Sequence, residues 1–200
     1  MSAARDMPVR PMDPRAHFEA RLGVHVIPIL PGNHAISTDP GLGLMTLLGS
    51  CVAACIRDRR TGIGGLNHFL LPSGGEADAL SARYGVHAME VLINDILGTG
   101  AAKRDLEAKL FGGGNIIGSR AAISVGAKNA AFARSYLVDE GIALTAEDLG
   151  GDRARRVYFI PATGKVHVQR IRGDAAAETR ARELALTRKA PPKSGGVELF

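Results

Sequence analysis

Two residue types in this 200-residue chain can together supply a sulfur nucleophile and its base: cysteine, present only as Cys51 and Cys55, and histidine, present six times. A thiolate attacks carbonyl carbon, but a free thiol titrates near about 8.5 and stays mostly protonated at neutral pH, so it needs a base within reach. Cys51 follows Leu48-Gly49-Ser50, and a Gly-Ser step lets the backbone turn sharply. A thiol at such a turn stands at a cleft, where neighbouring backbone N–H groups face a developing oxyanion. The competing reading of Cys51 is a small residue packed in an apolar segment. Cys55, with Val52-Ala53-Ala54 before it and no turn beside it, reads as core.

The matching base is His68, in Gly64-Gly65-Leu66-Asn67-His68-Phe69. A polar Arg-Asp-Arg-Arg-Thr-Gly turn joins this stretch to the one that starts at Cys51, so a hairpin sets the two side by side. A histidine among apolar neighbours also reads as a hydrogen-bonded core residue, and that alternative stays open. His17, His25, His34 and His167 have no thiol near them in sequence; His87, in a helical stretch, is the rival base.

Other chemistries fit less well. Cysteines four apart on a strand have Cα atoms roughly 13 Å apart. A disulfide needs under about 7 Å. Cys-x3-Cys with one histidine leaves a zinc site a ligand short. Phe111-Gly112-Gly113-Gly114-Asn115 reads either as a tight connection or as a close backbone approach to substrate or nucleophile. It lacks the Gly-Lys-Ser/Thr ending of a phosphate loop. No metal or organic cofactor is expected.

The elements that must position Cys51 and His68 are short strands and a few helices. Apolar residues make up 46% of the chain and charged residues 22%, which excludes global disorder. The length suits one domain with tails. The 25 glycines favour a turn-rich fold with short strands over a helical bundle. Residues 1–20 read as a tail, 21–173 as the domain, and 174–200 as a terminal helix and tail. Strands are expected over 21–30, with Pro28 at a sheet edge, and over 42–48, 51–58 and 63–71, with 31–40 as loop. A helix runs from about Leu80 to Gly98, where Tyr84, Met89, Leu92, Ile93, Ile96 and Leu97 share a face. Residues 102–117 read as a short helix or strand entering the glycine turn, 121–141 as a helix, and 142–171 as strands with turns at Gly150-Gly151 and Thr163-Gly164. The fold class is α+β, mostly hairpin-connected strands with two or three packed helices.

Charge and localisation narrow the partners. The net charge of +5 comes largely from Arg-rich runs at the N-terminus, Arg57–Arg60 and Arg153–Arg156, read as solvated faces or as a surface for an acidic partner. No basic stripe interleaved with aromatics appears, so no nucleic-acid partner is expected. The N-terminus lacks the apolar core of a signal peptide. No apolar run reaches the ~20 residues that span a bilayer. With only two cysteines, the expected setting is the reducing cytoplasm, without direct membrane insertion.

Leu48-Gly49-Ser50-Cys51-Val52-Ala53 and Gly65-Leu66-Asn67-His68-Phe69-Leu70-Leu71-Pro72 together resemble the two signature segments of the CheD family of chemoreceptor glutamine deamidases. The likeness extends through Tyr84, Ala88-Met89, Leu92-Ile93, Lys109 to Gly113, Ile123, Gly126, Asn129, Asp148, Gly150, Gly151 and Arg155, over about residues 22–172. The resemblance implies an α/β/β layered fold shared with certain deamidating bacterial toxins. It implies hydrolysis of selected glutamine side-chain amides on methyl-accepting chemoreceptors by a cysteine-histidine pair, here Cys51 and His68, and in some systems a CheC-type phosphatase partner. It also implies a threonine six residues before the cysteine. That position is Met45, and the threonine is its neighbour Thr46. One step along a strand turns a side chain to the other face, so Thr46 serves as third member only if a bulge or turn restores its aim. Asn115 and Asn129 are the alternative polar groups for that role. A binding module without turnover is the competing function.

Overall fold

A computed structural model describes residues 14–71, 77–116 and 124–171, the side chains of 77–82 excepted. Its ten strands form two five-stranded sheets, with two α-helices. The strands are β1 (His17–Glu19), β2 (Val24–Pro28), β3 (His34–Ser37), β4 (Leu42–Leu48), β5 (Val52–Asp58), β6 (Gly64–Asn67), β7 (Leu106–Gly112), β8 (Ala143–Leu149), β9 (Arg155–Ile160) and β10 (Lys165–Arg170). The helices are α1 (Ala77–Gly98) and α2 (Val125–Asp139). The first sheet has the order β1-β2-β4-β9-β10 and the second β3-β6-β5-β7-β8. Of the strand pairings, only β2–β4 and β7–β8 are parallel.

Period-two alternation explains how the layers meet. From β4, Leu44 and Leu48 point inward with Val157 and Phe159 of β9, and meet Cys51, Ala53, Cys55, Leu66 and Phe111 of the second sheet. The other face of β5 carries Val52, Ala54 and Ile56 against Met89, Leu92, Ile93 and Ile96 of α1 and Ala133 and Leu137 of α2. Those α1 positions repeat at three- and four-residue spacing, which puts them on one helical stripe. Each such fully buried aliphatic contributes about 1.5–3 kcal/mol. The result is α/β/β layering, with helices on one face of the second sheet and the first sheet on its other face.

Several elements differ from the sequence expectation. β1 lies inside the stretch read as a tail and flanks β2 over Val24–Val26; Pro28, the last residue of β2, lies past β1 and pairs with β4 alone. β3 lies within 31–40, read as loop. Arg155 is not part of a solvated face. It is 2% exposed, and its guanidinium binds the Asp148 carboxylate at 2.8 Å and the carbonyls of Asp148 and Gly150. Pro72, Ile123 and the expected terminal helix lie outside the described residues.

Candidate active site

The chain leaves the first sheet at Leu48 and enters the second at Val52, so Gly49, Ser50 and Cys51 form the crossing between layers. Three successive carbonyls are held there. Gly114 N–H donates to Gly49 O (2.7 Å), Asn129 Nδ2 to Ser50 O (2.8 Å), and Gly113 N–H to Cys51 O (2.7 Å). The glycine run is thus a close backbone approach. Gly112 has φ +109°, a conformation side chains rarely adopt, and a Cβ there would run into the Cys51 carbonyl. Gly126, at the start of α2, allows a similar approach to the Gly113 carbonyl.

His68 reaches the same place by register. Cys55 pairs with Leu66, and Val52 bridges Phe69 through Val52 N–H to Phe69 O (3.0 Å) and Phe69 N–H to Val52 O (2.9 Å). Carrying that register along puts Ala53 opposite His68, with Cys51 one diagonal step away on the same face. Diagonal neighbours lie within reach of long or aromatic side chains. The turn after β2 fixes residue 68 from the other side: His68 N–H donates to Asn33 O (3.0 Å) and Gly32 N–H to His68 O (2.7 Å).

Thr46 comes from the opposite sheet. Its hydroxyl donates to Ile29 O at 2.8 Å and lies 2.7 Å from His68 Nδ1. A hydroxyl has one proton. With that proton on the Ile29 carbonyl, His68 Nδ1 must be the donor to Thr46, which fixes the tautomer and leaves the Nε2 lone pair as the basic site. Cys51, Thr46 and His68 are 1%, 1% and 4% exposed. Thr46 needs no bulge. The β4–β9 register runs without a break from Leu44 to Leu48, so Met45 packs on the outer face beside Val24, Val26 and Tyr158. The non-strand crossing at 49–51 breaks the odd-even count between Thr46 and Cys51, so the parity argument that set Thr46 on the wrong face does not apply.

Other candidates fall elsewhere. Cys55 is buried and points to the same inter-sheet core; burial pushes its thiol up, which Lys109 only partly offsets. Neither cysteine is in a disulfide. His87 is exposed on α1, and Asn115 is exposed with its backbone N–H on Gly151 O. Asn129 is fully buried and bonds backbone, accepting from Leu71 N–H at 2.9 Å. Among the described residues, no cluster of His, Cys, Asp or Glu is arranged to hold a metal ion.

A family model described as CheD chemotactic sensory transduction matches residues 70–170. A protein of Methylobacillus flagellatus named probable chemoreceptor glutamine deamidase CheD is 47% identical over 191 residues, spanning 92% of this chain and 94% of its own. Proteins of the same name from Janthinobacterium sp. and Xanthomonas campestris pv. campestris are 48% and 45% identical, spanning 86% and 94% of this chain and 87% and 96% of theirs. The chain belongs to the CheD family. Two solved structures also share similarity: a Neisseria meningitidis protein, NMB0706, of the family-model DUF152 (TM-score 0.40, 11% identity, 66% of this chain and 64% of that one), and a Bacillus licheniformis hypothetical protein, YfiH (TM-score 0.38, 18% identity, 57% and 49%).

Two residues of this CheD chain were given no functional part in the sequence reading. Asn67 is 2% exposed at the end of β6; its Oδ1 accepts from Ala54 N–H and its Nδ2 donates to Ala88 O, each at 2.9 Å, which ties β5 to α1 beside His68. The signal was an asparagine in an apolar run, a buried polar group that must find partners. Tyr84 is exposed, and its hydroxyl reaches toward Gly32. Burial pushes its phenol up and the nearby Cys51 adds to that, so Tyr84 lies within electrostatic reach of the thiol. The basic run Arg57–Arg60 lies at the far end of β5, where Arg57 faces Glu107 (3.9 Å) and Arg60 faces Asp105 (3.6 Å). Six strand residues place Arg57 about 20 Å from Cys51, so that run does not border the site.

Proposed function

We propose that this chain hydrolyses glutamine side-chain amides to glutamate on chemoreceptors, with Cys51 as nucleophile, His68 as base and acid, and Thr46 as the group that fixes the imidazole. The observation that carries the reading is the Thr46 hydroxyl, bound to the Ile29 carbonyl and to His68 Nδ1. It supports a ring whose basic nitrogen is Nε2, on the strand face shared with Cys51, in a family whose curated members carry the deamidase name.

The steps follow from those roles. His68 Nε2 takes the thiol proton as sulfur bonds to the amide carbon, and the carbonyl oxygen becomes an oxyanion. The imidazolium then protonates the amide nitrogen, the C–N bond breaks, ammonia leaves and a thioester remains. Water enters, gives a proton to Nε2 as its oxygen bonds to the same carbon, and the C–S bond breaks. Glutamate is released and the proton returns to the thiol. Each positioned proton transfer is worth roughly 10²- to 10⁴-fold. The exchange needs no metal or redox partner.

Access sets selectivity. Cys51 sits at a crossing within a globular fold and reaches only side chains exposed on a partner. Free glutamine, without remote binding contacts, is therefore a poor substrate. No helix among the described residues is long and apolar enough to cross a membrane, and the proposed place of action is the cytoplasmic part of the receptor. A CheC-type phosphatase is the proposed regulatory partner, tested by co-purification.

The test is incubation with a purified chemoreceptor cytoplasmic fragment. Ammonia release and conversion of a few glutamines to glutamate, mapped by peptide mass, are expected, and Cys51→Ser abolishes both while still binding the fragment. Binding by the wild type without any glutamine converted would replace this reading with a binding module.

A further inference from the structure

Asn129 is fully buried, and among the described residues its amide bonds main-chain atoms. Nδ2 donates to Ser50 O at 2.8 Å and Oδ1 accepts from Leu71 N–H at 2.9 Å. One amide thus joins the residue before Cys51 to the segment just past His68. Nothing local requires an asparagine there: it lies in the second turn of α2, among Gly126, Ala130 and Ala133 on the packed face. A buried amide is costly unless both ends are satisfied, and here its two partners flank the proposed catalytic pair.

The bond to Ser50 O has a geometric consequence. Ser50 C=O and Cys51 N–H belong to one planar trans peptide and point in opposite directions. A donor fixed on the oxygen from the α2 side therefore aims the Cys51 N–H away from α2. The preceding peptide is fixed the same way by Gly114 N–H on Gly49 O, and the next by Gly113 N–H on Cys51 O. Those two donors are main chain; the middle one is the only side chain of the three.

We propose that Asn129 is a positioning residue for the deamidation, setting the plane of the Ser50–Cys51 peptide so that the Cys51 N–H is aimed at the oxyanion of the attacked amide. The inference rests on the proposed reaction and assigns a role that reaction does not itself define. Donors of this kind act in the transition state rather than in substrate binding, and removal of one costs about 10²- to 10³-fold in other hydrolases. Loss of aim rather than of the donor itself is expected to cost about 10- to 100-fold in kcat, with KM within about threefold.

The experiment separates chemistry that builds an oxyanion from chemistry that does not. Alkylation by iodoacetamide displaces iodide at carbon and forms no oxyanion. Butanal, which mimics the glutamine side chain, adds reversibly to the thiol and places an oxygen where the oxyanion forms; its binding is read as protection of Cys51 against iodoacetamide. Asn129→Ala and Asn129→Asp are compared with wild type, with turnover per titrated Cys51 measured on the receptor fragment. Asn129→Asp keeps the acceptor for Leu71 N–H and removes the donor to Ser50 O, so it serves if the alanine variant does not fold. Asp58→Asn, a buried change at the other end of β5, is the control for lost stability alone.

The expected result is weaker butanal protection and lower kcat, with the iodoacetamide rate close to wild type at every pH. Unchanged protection and turnover would overturn the proposal. So would a parallel loss of alkylation, which would mean that Asn129 holds the thiol or the fold. If wild type converts no receptor glutamine but the variants still lose butanal protection, the positioning role stands and the substrate assignment falls.

Discussion

Replacing Thr46 by valine keeps the shape of the side chain and removes only the hydroxyl, so it isolates what that oxygen does. In the native protein the hydroxyl satisfies two buried groups, the Ile29 carbonyl and His68 Nδ1–H. Valine leaves both without it. The imidazole then either keeps its proton on an unsatisfied Nδ1 or moves it to Nε2, where the base is lost. A buried donor left without an acceptor costs about 1–3 kcal/mol. At about 1.4 kcal/mol per tenfold, the productive tautomer falls roughly 5- to 150-fold. The expected outcome is a fall in kcat of that order with KM nearly unchanged, since Thr46 is buried. Thr46→Ser, which keeps a hydroxyl, restores most of the rate. Ammonia release gives the kinetics, and imidazole nitrogen NMR of His68 reports which nitrogen holds the proton. A Thr46→Val enzyme with kcat within about twofold of wild type refutes the tautomer argument, as does an Nδ1-protonated ring in that variant.

Cys51 is expected to be alkylated below the free-thiol range and Cys55 only on unfolding, because burial pushes the Cys55 thiol up; equal labelling of both by peptide mass mapping counts against the nucleophile assignment. Asp58 should govern part of the acid limb of stability. Burial raises its carboxyl, but the backbone N–H groups of Thr61, Arg60 and Ala102 and the Thr61 hydroxyl outweigh it and hold the group below its ordinary value. A depressed folded value means stability present above the unfolded value of about 3.9 and lost as pH falls through the folded one, so Asp58→Asn should flatten that limb in denaturant melts across acidic pH. Gly112→Ala should lower both stability and turnover, because the added Cβ meets the Cys51 carbonyl at a positive φ; wild-type melting and kcat in that variant would show that the glycine run does not hold the crossing.

What was legible in the sequence follows from which features are local. That His68 leaves a strand paired with the one starting just after Cys51 was legible because one short polar turn joins two apolar runs, and a hairpin fixes register without distant information. The helix at Ala77–Gly98 announced itself through an apolar stripe of helical period. β3 did not, because His34–Ser37 is half-buried, brief and flanked by Pro, Gly, Asn and Asp, all of which read as loop. β1 is a three-residue strand beside Pro- and Arg-rich chain. Arg155 was misread because charge runs usually face water, and nothing local tells that one arginine of the run turns inward to hold the 148–153 loop. Thr46 was the instructive case. Counting odd and even positions assumes one continuous strand, and the chain changes sheets between Leu48 and Val52.

That change of sheets also explains why the candidate site stands where it does. Thr46 belongs to one sheet and His68 to the segment leaving the other, so their hydrogen bond spans the layer interface and forms only when the two sheets pack in register. Cys51 sits on the strap between them, its carbonyl and the two before it bonded to the glycine run and to α2. The glycine run is in turn joined to the 148–153 loop, with Gly150 N–H on Gly112 O and Asn115 N–H on Gly151 O, and Arg155 holds that loop from within. Each of these three side chains is therefore placed by a different layer or loop, and none by its own strand alone. A site assembled this way depends on the packing of the whole sandwich. The polar groups buried here, Asn67, Asn129 and Arg155, are the ones that fix the geometry which apolar packing, lacking direction, leaves loose.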